Sequence, residues 1–375
     1  MDNKILLLGE SARFDRVSSF SKRGEKGMGK WVYPALLPDG KRVNIMKVLM
    51  DNRCENNCLY CMNRKDSPLP RTYFRPEELS RIFLELYRKR IVQGIFLSSA
   101  TGPDPLITLK NMIKTCQILR EKYRFTGYLH LKILPFAPFS YIEEAISLAD
   151  RVSINLESPN GHCLSAIAPD KNWSNLWGII KAMKEISGRK PSSRVGITTQ
   201  FIVGPGGEKD KDLVYLAYNL YRHYKLKRVY YSAFTPLPST PLGKYPSTSP
   251  LREYRLYQVD ALIRYYGFSS EEIPFEEGNL NLSTDPKLLW ALRHPELFPV
   301  EVNKASFATL IRIPGIGPAG AQKIIKRRIK EKIRNEEDLK GLRIQSKRAL
   351  PFLLLDGRVL RKKTYSKNLL PFLRD

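Results

Sequence analysis

The stretch "LMDNRCENNCLYCMNRK", residues 49–65, places three of the chain's five cysteines within eight positions, at Cys54, Cys58 and Cys61. Three thiolates are an odd set. A disulfide framework uses pairs, and structural zinc takes four ligands, usually as two close pairs. The C-x3-C-x2-C spacing suits three corners of a cuboidal 4Fe-4S cluster, which ferredoxins complete with a fourth cysteine. No fourth cysteine lies nearby, so such a cluster keeps one iron open. The alternatives are a zinc site with a distant fourth ligand and a chance grouping.

The residues ahead of the loop read as a strand, "RVNIMKVLM" (42–50). Five further apolar runs follow: "GIFLSS" (94–99), "GYLHLKILP" (127–135), "RVSINLES" (151–158), "RVGITTQFIVG" (194–204) and "RVYYSAFTP" (228–236). Helical segments separate them. One opens at Pro76, with Leu79, Ile82, Phe83 and Leu86 on one face; another opens at Asp104-Pro105, with Leu109, Met112, Ile113 and Cys116 on its buried stripe. Six βα units predict a parallel sheet, open or curled into a partial barrel, whose site lies at the C-terminal ends of the strands. The cysteine loop follows the first of them. "TPLPSTPLGKYPSTSP" (235–250) ends the repeat, and a helix over about 251–266 and a short one from Asp285-Pro286 follow.

With that context, "CENNCLYC" resembles the CxxxCx(aromatic)C motif of the radical SAM superfamily. The resemblance implies that S-adenosylmethionine chelates the open iron, and that an electron from the cluster cleaves it to a 5'-deoxyadenosyl radical. It makes Tyr60 an apolar lid over the cluster. Where the superfamily often has Gly-Gly-Glu after its second strand, this chain reads "SSATGP" (98–103), leaving Ser98 and Ser99 as donors without the carboxylate. Ser153, Asn155 and Glu157 alternate onto the fourth strand face, where the family places ribose-binding groups. "FIVGPGGE" (201–208) resembles the fifth-strand GxIxGxxE segment, which assigns Gln200, Ile202 and Gly204 to the cofactor.

His130 and Lys132 share one face of the third strand and are candidates for substrate binding or proton transfer; the alternative is pairing with a fourth-strand carboxylate that holds the barrel together. Cys163, in the loop "SPNGHCLSA", is a candidate hydrogen-atom donor or a packed cysteine, and Cys116 reads as core.

The net charge is +26, and residues 301–375 carry 19 Lys+Arg against 7 Asp+Glu, compared with 44 against 30 in residues 1–300. Such a balance favours a polyanion as partner. Within that segment, "LIRIPGIGPAGAQKIIKRR" (310–328) resembles a helix-hairpin-helix motif, with "LRIQSKRA" in a degenerate second copy. The resemblance implies that Gly315, Ile316 and Gly317 turn tightly against a nucleic-acid backbone while Lys323, Lys326 and Arg327 add charge. A helical module for protein contacts is the alternative.

Both motifs on one chain resemble a radical SAM family described as DNA modification or repair proteins. Further blocks carry the likeness: "FLSSATGPDPLITL", "APDK", "YYSAFTPLPSTPL" and "NLSTDPKLLWALRHPELFP". The expectation is an N-terminal extension (1–40), a partial (β/α)6 barrel (41–250), a helical connector (251–299) and an all-α helix-hairpin-helix domain (300–375). The expected cofactors are a 4Fe-4S cluster and S-adenosylmethionine. The expected partners are DNA, with RNA as an alternative, and a low-potential electron donor. No apolar run is long enough to span a bilayer, and the unpaired cysteines fit a cytoplasmic setting. Two rival functions stay open: a tRNA-modifying radical SAM enzyme, and a non-enzymatic DNA-binding iron-sulfur protein.

Overall fold

Apolar residues dominate "RVNIMKVL" on both faces of the strand, and parallel strands buried on both sides read this way. The computed structural model, which describes residues 3–13, 31–36, 42–189 and 195–359, makes this segment strand β2 (Arg42–Leu49), with Met46 and Val48 fully buried. Strands β3 (Gly94–Ser98), β4 (Tyr128–Lys132), β5 (Arg151–Ser153), β6 (Gly196–Val203) and β7 (Arg228–Ala233) follow in parallel. Their order in the sheet is their order in the chain. The result is a curled half-barrel with helices around it. A seventh strand, β1 (Val32–Leu36), pairs antiparallel with β2 and was not anticipated. It carries Pro34, which reads as a loop signal but is tolerated on an edge strand.

Helix α1 (Asn3–Arg13) precedes the sheet, and helices α2 (Pro76–Arg88), α3 (Pro105–Gln117), α4 (Phe139–Leu148), α5 (Gly161–Ile167) and α6 (Trp173–Arg189) fill the crossovers. Their ends are specified locally. Asp104 accepts from the amides of Leu106 and Ile107 at 2.8 and 3.1 Å, with Pro105 at the first position of α3. Leu109, Met112, Ile113 and Cys116 are buried on α3, as the spacing predicts.

Strand β5 is shorter than its apolar run suggests, because regular pairing with β6 stops after Ser153. The Thr199 hydroxyl fills the break, donating to Ile154 O at 2.7 Å and accepting from Leu156 N at 3.2 Å. Pairing resumes at Glu157, whose φ of +63° is left-handed. A bulky residue there is strained, and such strain concentrates at functional positions.

The chain divides into two compact units, residues 1–208 with 219–253 and residues 209–218 with 254–375. Helix α7 (Asp210–Arg222) precedes β7, and α8 (Pro250–Tyr266) follows it. The second unit includes α9 (Pro286–Arg293), α10 (Phe307–Leu310), α11 (Pro318–Lys330) and α12 (Ser346–Ala349). Helices α10 and α11 flank the predicted hairpin, and the second copy is reduced to a 3-10 turn at Glu337–Leu339 and the single turn of α12. Residues 360–375, which add to the basic tail, lie outside the described residues.

Candidate active site

The loop between β2 and α2 holds the three cysteines, and its shape is set by side chains rather than by regular structure. Buried Asp51 accepts from the Arg53 amide at 2.8 Å and grips its guanidinium at 2.7–3.1 Å. Asn52 holds the returning strand through Thr72 N and Pro70 O, both at 2.8 Å. Arg71 donates to five carbonyls, those of Asn52, Asn63, Arg64, Lys65 and Ser67, at 2.5–3.3 Å. A single guanidinium thus satisfies backbone acceptors on both sides of the loop.

Neighbouring segments fix the cysteines themselves. Cys54 bridges to Gly102, and its sulfur lies 3.5 Å from Thr101 Oγ1, which also accepts from Glu55 N at 3.2 Å. Gly102 is required here, because its φ is +69° and an added Cβ would lie 2.1 Å from Thr108 Oγ1. Leu59 N donates to Ile167 O at 2.8 Å, and Asn57 N to Asp170 at 2.6 Å. The amide of Asn63 points at Cys61 Sγ, 3.4 Å away.

All three cysteines line one cavity of about 290 Å³ at the C-terminal ends of the strands. That is the lower end of the range of ligand pockets, roughly 300–1,000 Å³. Of the sequence-predicted residues, Tyr60, Ser98, Ser99, Lys132, Asn155, Glu157, Gln200 and Ile202 also line it. Glu157 is the only carboxylate in that lining among the described residues, and it is buried. It pairs with Lys171 at 2.7 Å and accepts from Asn155 Nδ2 at 3.4 Å. Burial opposes the Lys171 charge, but Glu157 and the Cys58 sulfur outweigh it and raise the lysine's pKa. Burial pushes the Cys58 thiol up and the Cys61 thiol up to about 12.

Four predicted residues are elsewhere. His130 and Ser153 face inward one layer below the cavity, where the imidazole stacks on Phe96 at 4.1 Å and its Nε2 meets Ser153 Oγ at 2.8 Å. Both are buried, and neither lines the cavity. Side chains two residues apart on one strand face sit about 7 Å apart along it, so His130 falls a layer short of Lys132. Cys163 is buried on α5, outside the lining. Gly204, at φ +112°, packs on Thr248 and closes the turn after β6, with its amide donating to Glu208. The sequence reading overlooked Arg71, Thr101 and Lys171; the block "APDK" was the signal for the last.

The three sulfurs fit a cluster by the chemistry of the set: three thiols on one loop, one of them facing a backbone amide, open on a cavity with no fourth cysteine in its lining. Among the described residues no three His, Cys, Asp or Glu side chains converge on a single metal-ion position. A cuboidal cluster does not ask for that convergence, since each thiolate takes its own iron. Bound iron would reverse the upward shift of the thiols.

Residues 48–217 match the family model of the Radical SAM superfamily. Residues 48–217 are a radical SAM domain. Such a domain belongs to enzymes and works with a 4Fe-4S cluster and S-adenosylmethionine. Residues 298–344 match the helix-hairpin-helix motif. A search of curated proteins finds no match. The chain resembles methylornithine synthase (PylB) at TM-score 0.48 and 13% identity, over 58% of this chain and 61% of that one. The chain resembles the FeFe-hydrogenase maturase HydG from Carboxydothermus hydrogenoformans at TM-score 0.45 and 18% identity, over 58% and 51%. It resembles a radical SAM methyltransferase from Sphaerobacter thermophilus at TM-score 0.44 and 15% identity, over 61% and 69%. The chain thus spans about half to three fifths of the PylB and HydG structures.

In the second unit, the hairpin is packed from within. Gly315 has φ +84°, and an added Cβ would lie 2.7 Å from Gln345 O, so its close approach is to the second copy. Ile316 is buried, its carbonyl accepting from Lys287 Nζ at 2.5 Å. Gly317 precedes Pro318 and caps α11. Lys323 reaches Gly341 O at 2.9 Å, and Arg327 pairs with Glu331 at 2.8 Å. Lys326 is exposed, with no ion pair among the described residues.

Proposed function

We propose that this chain is a radical SAM enzyme acting on DNA, for modification or repair, with Cys54, Cys58 and Cys61 as the cluster ligands. The observation that carries the reading is the convergence of the three cysteines, Glu157 and Lys171 on one cavity at the strand ends. When bound, the cluster supplies the electron that cleaves S-adenosylmethionine to a 5'-deoxyadenosyl radical. The chain's own residues bind and shield. Tyr60 covers the cysteine side, while Ile133, Leu134 and Ile202 give the cavity apolar walls that keep out water. Glu157, fixed by Lys171 and Asn155, accepts hydrogen bonds from the hydroxyl or ammonium donors of the cofactor, filling in for the carboxylate absent from "SSATGP". Ser98, Ser99 and Gln200 add neutral polar contacts, and Lys132 faces the substrate side.

The helix-hairpin-helix motif and the basic charge support a nucleic acid as substrate. Gly317, Lys323, Lys326 and Arg327 at and along α11 are the proposed backbone contacts, which position without reading sequence. Anaerobic reconstitution tests the chemistry. The protein should take up about four irons and, once reduced, release 5'-deoxyadenosine, and Cys54→Ala, Cys58→Ala or Cys61→Ala should abolish both. Undiminished release by the triple variant would end the reading. Competition between duplex DNA and tRNA separates the DNA reading from a tRNA-modifying one.

A further inference from the structure

The rim of the cavity carries more exposed apolar surface than folding asks for. Phe136 follows directly on the cavity-lining run Ile133–Pro135, is 47% exposed, and adopts a φ of +69°. A bulky residue in the left-handed region is strained, and an exposed ring gains little burial in return. Neither cost serves stability, and strain of this kind concentrates where a residue works. On the adjacent strand end, Leu106 and Ile107 open α3 and are 47% and 58% exposed.

We propose that Phe136 is the platform on which an unstacked nucleobase rests at the mouth of the cavity. This rests on the nucleic-acid reading above and narrows it: the barrel takes a base out of its helical stack and does not act on intact duplex. A base inside a duplex cannot reach a cavity bounded by Leu134 and Pro135, so it must be flipped or single-stranded. Aromatic faces are the sequence-tolerant way to hold such a base. The charge agrees. The barrel unit has 38 Lys+Arg against 21 Asp+Glu, so it attracts a polyanion independently of the hairpin. A neutral apolar peptide or an uncharged lipid surface would gain nothing from that excess.

The experiment compares full-length protein with its Phe136→Ala and Phe136→Gly variants on a single strand carrying one 2-aminopurine and on a fully paired duplex. Phe136→Gly relieves the left-handed strain, so loss of the fold cannot explain a loss it shares with Phe136→Ala. Both variants should bind the single strand about 5- to 100-fold more weakly, bind duplex as wild type does, and lose the stacking-dependent change in 2-aminopurine emission. Unchanged single-strand affinity and emission in both variants would overturn the platform while leaving the DNA reading standing. Absence of binding to either nucleic acid by the wild type would instead overturn that reading. Phe136-dependent binding to neutral phosphatidylcholine vesicles, with the single strand unaffected, would assign the rim to a membrane and reject the nucleobase.

Discussion

At the scale of single residues, the cysteine loop depends on a side chain that is not a ligand. Arg71 gathers five carbonyls that would otherwise compete for water or collapse the loop. Lysine in its place keeps the charge but loses the planar fork, and alanine leaves the acceptors unmet. We expect Arg71→Ala to lower stability by roughly 2–4 kcal/mol and Arg71→Lys by less, read from urea midpoints, and both to lower iron uptake on reconstitution. Full iron content in Arg71→Ala would show that the cysteines hold their own geometry. This residue was not legible beforehand, since a lone arginine in a polar loop carries no periodicity and no spacing. The grouping of the cysteines on one cavity was legible because the three lie within eight positions of one loop. That His130 stays outside the cavity lining while Lys132 enters it was not legible for a related reason: alternation gives the face of a strand but not the depth along it.

At the scale of elements, the hairpin between α10 and α11 is held by a lysine from outside the motif. Lys287, on α9, is buried with its Nζ on Ile316 O and 4.5 Å above the Tyr266 ring. Burial pulls its pKa down to about 7; Asp285 resists, while Arg348 and Arg312 push it lower. An unfolded lysine keeps its proton to about pH 10.4. Between those values the unfolded chain binds one more proton, so stability rises with pH at up to about 1.4 kcal/mol per unit. Below pH 7 both states are protonated and the cost is constant. Thermal unfolding from pH 7 to 10 should therefore show a gain that Lys287→Met lacks; equal slopes for the two proteins would mean that the ammonium stays charged in the fold. The helices and the glycine turn were readable from "IPGIGPAGAQ", but what the glycines approach was not. Gly315 packs on the second copy, which had lost the glycine pattern that would have marked it as a partner.

At the scale of the whole molecule, the six parallel strands and their helices followed from alternating apolar runs and Pro or Asp starts, because each unit spans only about 30 residues. Strand β1 was missed, since Pro34 masks an edge strand, and β5 was overextended, since no local signal announces that Thr199 will replace its pairing. The charge read from composition also has a testable share in α11. Exposed Lys326, changed to Ala, should weaken duplex binding and reduce the slope of log affinity against log salt by about one; an unchanged slope would place the phosphate contacts elsewhere. Among the described residues the sheet's strand order runs from β1 to β7 without a return bond, and closure is what fixes the radius of a full barrel through strand number and shear. An open sheet carries no such constraint, so its curvature is free to differ from that of a closed barrel with the same strands.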